Sequence, residues 1–162
     1  MEHPHRPFTG HANENPEPLF AVSNLYIKTH HKPMLHLNKV HHIAIICSDY
    51  QHSLNFCTRV LGLKVLAEHF RESQQSFKTD LALGNEYVIE LFSFPSPPPR
   101  VTHPEAAGLR HLAFEVDSID GAVHELDALG ISHEQVRTDE FTGKRFLFFQ
   151  DPDGLPIEVY ER

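Results

Sequence analysis

The apolar and polar positions of this chain follow the same order of elements twice. Residues 40–94 predict an apolar strand, a helix with apolar residues at helical spacing, and three more strands. Residues 110–160 predict the same order again. The predicted helices, 48–61 and 118–129, each stop at a glycine, as helices commonly do. The pattern therefore predicts a βαβββ unit that occurs twice.

The bounds of the strands follow from β-branched runs and from turn residues. The strands are expected at 40–47, 63–70, 77–83 and 86–94, and again at 110–116, 131–136, 144–149 and 156–160. Gly84-Asn85 predicts a hairpin, and Asp151-Pro152-Asp153-Gly154 is typical of a type I turn. Ser48 and Gln51 have the spacing of a capping box for the first helix. Together these elements predict an α+β fold.

The regions outside the repeat differ in composition. The first 33 residues hold five prolines and five histidines, so we expect residues 1–36 to form a disordered arm. An alternative is that natural translation begins at Met34 and that the arm is not native. Prolines also mark a linker between the two units. The expected folded domain is 37–162, divided into module one (37–94), the linker (95–108) and module two (109–162).

Each module carries a histidine that opens its first strand and a glutamate inside its last strand. His42 and Glu90 are 48 residues apart, and His111 and Glu158 are 47 apart. A single strand histidine or glutamate is usually an ordinary surface or hydrogen-bonded residue. Here the register repeats, and an unpaired charge inside such apolar strands would be costly. Alternation predicts that all four point away from the helices, where two imidazoles and two carboxylates suit a divalent cation.

Composition narrows the class of partner. The 162-residue chain has a formal net charge of −8, which argues against non-specific binding to nucleic acid or to anionic membranes. No apolar run approaches the roughly 18 residues of a membrane span. The only cysteines, Cys47 and Cys57, are too few for a disulfide framework. We therefore expect buried, reduced thiols in a cytoplasmic protein.

At these residues the chain resembles the vicinal oxygen chelate superfamily, which includes glyoxalase I, extradiol dioxygenases, fosfomycin-resistance proteins and methylmalonyl-CoA epimerase. The resemblance covers about Leu37 to Arg162. The segments that carry it are His42-Ile43-Ala44-Ile45, Leu61-Gly62, Ile89-Glu90-Leu91, His111-Leu112-Ala113-Phe114 and Asp151-Pro152-Asp153-Gly154 with Ile157-Glu158. The order His, Glu, His, Glu is similar to that of bacterial glyoxalase I.

The resemblance implies a half-open mixed sheet or barrel around a metal cleft. It also implies that His42, Glu90, His111 and Glu158 are ligands of one divalent ion per site, which would be nickel, zinc, manganese, cobalt or iron. In the glyoxalase I arrangement each site forms between two chains, so the resemblance implies a homodimer.

The implied activity is that of a metal-dependent lyase or isomerase of glyoxalase I type. A small substrate with vicinal oxygens would react through an enediolate, with Glu158 or Glu90 moving the proton. Glyoxalase I has an arginine and an asparagine for glutathione where this chain has Ile46 and Phe94, which argues against glutathione. Lys144, Arg145 and Arg110 are candidates to replace the missing charge. The expected pocket wall consists of Ala44, Ile46, Phe92, Phe94 and Tyr160, which favours an apolar or aromatic substrate.

Two alternatives remain within the superfamily. An extradiol-type dioxygenase keeps two histidines and one carboxylate, so that substrate and oxygen occupy the other positions of the iron. Glu90 would fill one of those positions, which makes this reading weaker. A non-catalytic, bleomycin-resistance-like binding protein needs no metal, and the presence of all four ligand types argues against it.

Overall fold

Two four-stranded mixed sheets form the framework of the protein. The structure is a computed structural model that describes residues 35–162, of which Lys39–Arg162 form one compact unit. Module one contains β1 (Ile43–Cys47), α1 (Tyr50–Asn55), β2 (Lys64–Arg71), β3 (Ser76–Leu83) and β4 (Glu86–Ser93). Module two contains β5 (Leu112–Val116), α2 (Ile119–Ala128), β6 (Arg137–Thr138), β7 (Arg145–Gln150) and β8 (Pro156–Glu161). Nearly all of the expected arm lies outside the described residues, so the prediction for it stays a prediction.

The strand order is the same in both sheets. It is β1-β4-β3-β2 in module one and β5-β8-β7-β6 in module two. In each sheet the first and last strands of the module pair in parallel, and the other contacts are antiparallel. The predicted α+β fold with a duplicated βαβββ unit is therefore confirmed.

The first helix is capped by a different residue from the one predicted. The side chain of Asp49 accepts a hydrogen bond from the backbone N–H of His52 at 2.9 Å, so Asp49 is the N-cap. The prediction that Ser48 caps this helix is wrong, because both polar groups of Ser48 are engaged elsewhere. Its backbone N–H donates to Asp153 at 3.0 Å, and its hydroxyl donates to the same carboxylate. Ser48 therefore joins module one to the turn before β8.

The expected strand at 131–136 is also wrong. The backbone N–H of Ile131 donates to the carbonyl of Leu126 at 2.9 Å, which closes the end of α2. His133 forms one isolated bridge with Phe149, and continuous pairing with β7 begins only at Arg137. The backbone N–H of Ile131, which would have paired with a neighbouring strand, is therefore used in the hydrogen bond that ends α2.

The two modules share one hydrophobic core. Its fourteen buried residues come equally from both modules: Cys47, Phe56, Cys57, Leu63, Leu81, Ile89 and Leu91, with Ile119, Leu126, Leu147, Phe149, Leu155, Ile157 and Val159. Phe56 and Cys57 enter this core from a π-helical segment, Phe56–Val60, that continues α1, and the other side chains come mainly from α2 and from one face of each sheet. As predicted, both cysteines are buried and unpaired, and burial raises the pKa of Cys47 to about 11 and that of Cys57 to about 12. None of the helices described between residues 35 and 162 has both the length and the apolar composition of a membrane span.

The cap at Asp49 can be tested by substitution. We expect Asp49→Ala to lower the free energy of unfolding by about 1 kcal/mol, because the first turn of α1 loses an acceptor. Asp49→Asn keeps an acceptor oxygen and should retain most of the stability. Urea unfolding of the three proteins checks this, and equal losses in the two variants would contradict the capping role.

Candidate functional site

The first histidine–glutamate pair forms at the junction of β1 and β4. Parallel pairing places Ala44 opposite Glu90, and His42 lies two residues before Ala44 on the same face. His42 Nε2 is 3.2 Å from Glu90 Oε2. The imidazole is one-third exposed and the carboxylate is mostly buried, so the pair opens to the outside through the histidine.

The second pair repeats this geometry at the junction of β5 and β8. Ala113 lies opposite Glu158, and His111 Nε2 is 3.1 Å from Glu158 Oε2. Burial of the two side chains is nearly the same as in the first pair. The structure therefore places the four predicted residues in two equivalent pairs.

The two pairs do not meet within one chain. Among residues 35–162 no three histidine, cysteine, aspartate or glutamate side chains come together as ligands for a metal ion. The reason is the shared core. Ile89 and Leu91 enter it from β4, and Ile157 and Val159 enter it from β8, so alternation turns Glu90 and Glu158 to the opposite faces of their sheets. A site with all four ligands stays a prediction that needs a second chain.

The spacing within each pair fits a shared metal ion. Two ligand atoms that lie about 2.1 Å from a metal at a right angle are about 3.0 Å apart. The observed nitrogen–oxygen separations of 3.2 and 3.1 Å are close to this value. Imidazole nitrogen and carboxylate oxygen are also ligands that zinc, nickel, manganese and iron accept.

A ring of polar contacts surrounds the first pair. Glu90 Oε1 forms an ion pair with Lys78 Nζ at 2.7 Å, and Lys78 Nζ donates to Asp80 at 2.6 Å. Tyr87 donates to Asp80 at 3.0 Å and stacks on His42 with ring centroids 5.3 Å apart. The hydrogen bond from Lys78 lowers the pKa of Glu90, and those to Asp80 and Glu90 raise the pKa of Lys78. Lys78 thus holds one oxygen of Glu90 and leaves the other oxygen to the His42 side.

His42 and His111 differ in what lies next to Nδ1, the ring nitrogen that does not face the glutamate. His41 Nδ1 and His42 Nδ1 are 2.8 Å apart, so one of them donates to the other. A His42 that offers an unprotonated Nε2 to a metal ion would donate its Nδ1 proton to His41, which orients the ring. His111 Nδ1 is buried without a hydrogen-bond partner among the described residues, and the ring packs edge-on against Phe148.

The glutamates also differ in their neighbours. Asp80 lies opposite Glu90 in β3, whereas Phe148 occupies the matching place opposite Glu158 in β7. In the described part of the chain no lysine or arginine lies within ion-pair distance of Glu158. Sequence reasoning missed Lys78 and Asp80. The sequence did contain a signal for them: Lys78 and Asp80 are two residues apart in β3, so both side chains lie on the same face of the sheet as Glu90.

The predicted pocket wall is only partly apolar. Ala44 and Ile46 line a cavity of about 360 Å³ together with the proline-rich linker. Phe92 and Phe94 lie beneath the guanidinium of Arg71, and Tyr160 donates to Asp139 at 2.9 Å.

A larger cavity, of about 570 Å³, adjoins the second pair. Its lining includes His103, Arg110, His111, His133, Arg137 and Phe148. The wall here is charged as well as aromatic, since Glu134 also lines the cavity and pairs with Arg137 at 2.8 Å, which the sequence did not predict.

The three cations proposed to replace the missing charge are engaged within the chain. Arg145 donates to Asp120 at 3.0 and 3.1 Å and to Glu161 at 2.8 and 3.1 Å. Lys144 donates to the carbonyl of Arg162, and Arg110 pairs with Glu105 at 3.1 Å. Arg145 fastens the start of α2 to β8, since Glu161 also accepts from the backbone N–H of Ile119. Its contacts are those of a structural residue.

Comparison with known proteins agrees with this architecture. The sequence model of the "Glyoxalase/Bleomycin resistance protein/Dioxygenase superfamily" matches residues 39–159. The uncharacterized protein YwkD of Bacillus subtilis is 60% identical over 126 residues, which cover 78% of this chain and 98% of that protein.

Two solved structures show the same fold. The glyoxalase family protein from Enterococcus faecalis has a TM-score of 0.72 and 46% identity, covering 76% of this chain and 97% of that one. The trypanothione-dependent glyoxalase I of Leishmania major has a TM-score of 0.62 and 25% identity, covering 77% and 87%. The likeness thus extends over most of the length of each relative.

The Arg145–Glu161 contact predicts a pH dependence of stability. Hydrogen bonds from Arg145 lower the pKa of Glu161 from 4.5 to about 2. Because the folded state depresses this pKa, the contact stabilises the fold above about pH 4.5, and its contribution is lost as the pH falls towards 2. Urea unfolding should therefore show Glu161→Gln less stable than the original protein at pH 6, with the gap shrinking towards pH 2–3. A gap that does not change with pH would contradict the assignment.

Proposed function

This chain belongs to the glyoxalase/bleomycin resistance protein/dioxygenase superfamily, and we propose that it is a metal-dependent lyase or isomerase of glyoxalase I type. The proposed substrate is a small molecule with two adjacent oxygens. One observation carries the proposal: two histidine–glutamate pairs stand in the same register of duplicated sheets, each with the spacing of neighbouring metal ligands.

We propose His42, Glu90, His111 and Glu158 as the ligands of one divalent ion. Each chain offers the two pairs on separate faces, so a complete site would combine the first pair of one chain with the second pair of another. A symmetric homodimer would contain two such sites.

The reaction would be a proton transfer between adjacent carbons. Lewis-acid polarisation of the two substrate oxygens is the chemistry that a bound divalent ion supplies. Glu158 is the better candidate to take and return the proton. No lysine or arginine of residues 35–162 lies beside its carboxylate, whereas Lys78 holds Glu90. Glu90 would then serve mainly as a fixed ligand.

The buried cysteines bear on where the protein acts, and the Lys78–Glu90 ion pair bears on the alternative functions. Two buried, unpaired thiols fit a reducing compartment such as the cytoplasm. A carboxylate at Glu90 that is held in place by Lys78 fits a four-ligand site better than the three-ligand site of an extradiol-type dioxygenase.

Metal content and chain mixing test the shared site. We expect about one divalent ion per chain in protein purified without chelator, and its loss in His42→Ala and in His111→Ala. Elemental analysis after gel filtration measures both. The two variants should then be unfolded, mixed in equal amounts and refolded.

In the mixed protein, half of the dimers pair unlike chains, and each of these has one intact site. The mixture should therefore bind about a quarter of the original metal, although each variant alone binds none. If the mixed protein is a folded dimer but binds almost no metal, the site does not form between chains. Refolding the unsubstituted protein in the same way provides the control.

Activity should follow the metal. We expect the loaded protein to convert the hemithioacetal of an α-ketoaldehyde and a small thiol, or to exchange the carbon-bound proton of an α-hydroxyketone with solvent deuterium. Chelation and Glu158→Gln should abolish the exchange measured by proton NMR. Oxygen uptake with catechols would instead support a dioxygenase. Tight binding of bleomycin by folded, metal-free protein, without turnover, would support a binding protein.

A further inference from the structure

A second cation lies along the same face of the first sheet as Glu90. The guanidinium carbon of Arg71 is 4.7 Å from the ring centroid of Phe92 and 5.4 Å from that of Phe94. Its Nε and one terminal nitrogen donate to the hydroxyl of Ser76 at 3.1 and 2.6 Å. Ser76 is fully buried, so the guanidinium is held by a fixed hydroxyl as well as by two aromatic faces.

The positive charge of Arg71 has no acidic partner in the described part of the chain. Among residues 35–162 no carboxylate lies within ion-pair distance of it, whereas Arg110, Arg137, Arg145 and Arg162 each pair with an acid. The bonds to Ser76 engage Nε and one terminal nitrogen, and the other terminal nitrogen has no hydrogen-bond partner among residues 35–162. A planar guanidinium that is already oriented, and that has free N–H groups, is well suited to bind a carboxylate or phosphate.

The position of Arg71 sets its distance from the proposed ligands. Phe92 follows Glu90 by two residues within β4, so alternation keeps both on one face. Phe94, just past the end of the strand, stacks on Phe92 with ring centroids 6.0 Å apart. At about 3.3 Å per residue, these rings lie roughly 7 and 13 Å along the strand from Glu90. The guanidinium above them is therefore about one small molecule away from the His42–Glu90 pair.

We propose that Arg71 is a binding site for an acidic group of the substrate, and this rests on the proposed function of the His–Glu pairs. The substrate class is then a compound with vicinal oxygens at one end and a carboxylate or phosphate at the other. The rings of Phe92 and Phe94 contact the chain between the two ends. A neutral compound with the same reacting oxygens lacks the contact with Arg71.

A matched set of ligands tests this. Acetohydroxamate presents two vicinal oxygens and no acid, whereas the monohydroxamates of succinic, glutaric and adipic acids add a carboxylate at increasing distance. Calorimetric titration of manganese-loaded protein should show at least one of the acids binding about tenfold more tightly than acetohydroxamate. Arg71→Met should remove this preference while leaving metal content and acetohydroxamate affinity within about threefold. Arg71→Lys should retain part of the preference, and Arg59→Met, on an exposed surface, should retain all of it.

The possible results separate the two proposals. Equal binding of all four hydroxamates to the original protein would overturn the role of Arg71, as would loss of metal together with acetohydroxamate binding in Arg71→Met. If the original protein takes up no metal, the proposed function is overturned. In that case the line width of inorganic phosphate in phosphorus NMR shows whether Arg71 binds an anion. Broadening by metal-free protein that disappears in Arg71→Met would support the site, and equal broadening would overturn it.

Discussion

The packing of two modules against one core determines where the candidate chemistry lies. Each sheet commits one face to that core, through Ile89 and Leu91 in β4 and through Ile157 and Val159 in β8. Strand alternation leaves the glutamates between these residues on the outer faces. A chain built this way cannot close its two histidine–glutamate pairs upon each other. The shared core and the separation of the two histidine–glutamate pairs therefore have the same cause.

Within each pair, the geometry depends on the parallel contact between the first and last strands of a module. That contact sets Ala44 opposite Glu90 and Ala113 opposite Glu158. The small methyl side chains leave the space between histidine and carboxylate open. The match between 3.2 and 3.1 Å in the two modules follows from identical register, so a duplicated backbone produces a duplicated pair.

Periodicity in the sequence was sufficient for the repeat, for the face on which His42 and Glu90 lie, and for the buried cysteines, because each follows from strand alternation or from a pattern that occurs twice. It failed at Ile131, where closing the end of α2 competes with strand formation, and at Ser48, whose partner Asp153 is 105 residues away. Contacts of that kind depend on tertiary packing, which a local pattern does not contain. Lys78 was missed for a different reason: its alternation was readable, but its bond to Glu90 depends on the β3–β4 register.

The two halves have diverged around their common pair. Module one places Lys78 and Asp80 beside its glutamate, whereas module two places aromatic rings there, including Phe148. If each site joins one half from each chain, one glutamate of every site has Lys78 and Asp80 beside it and the other has Phe148. A planar reaction intermediate bound between these unlike surroundings would have different residues on its two faces. Duplication followed by such divergence gives a symmetric assembly the means to distinguish mirror-image products.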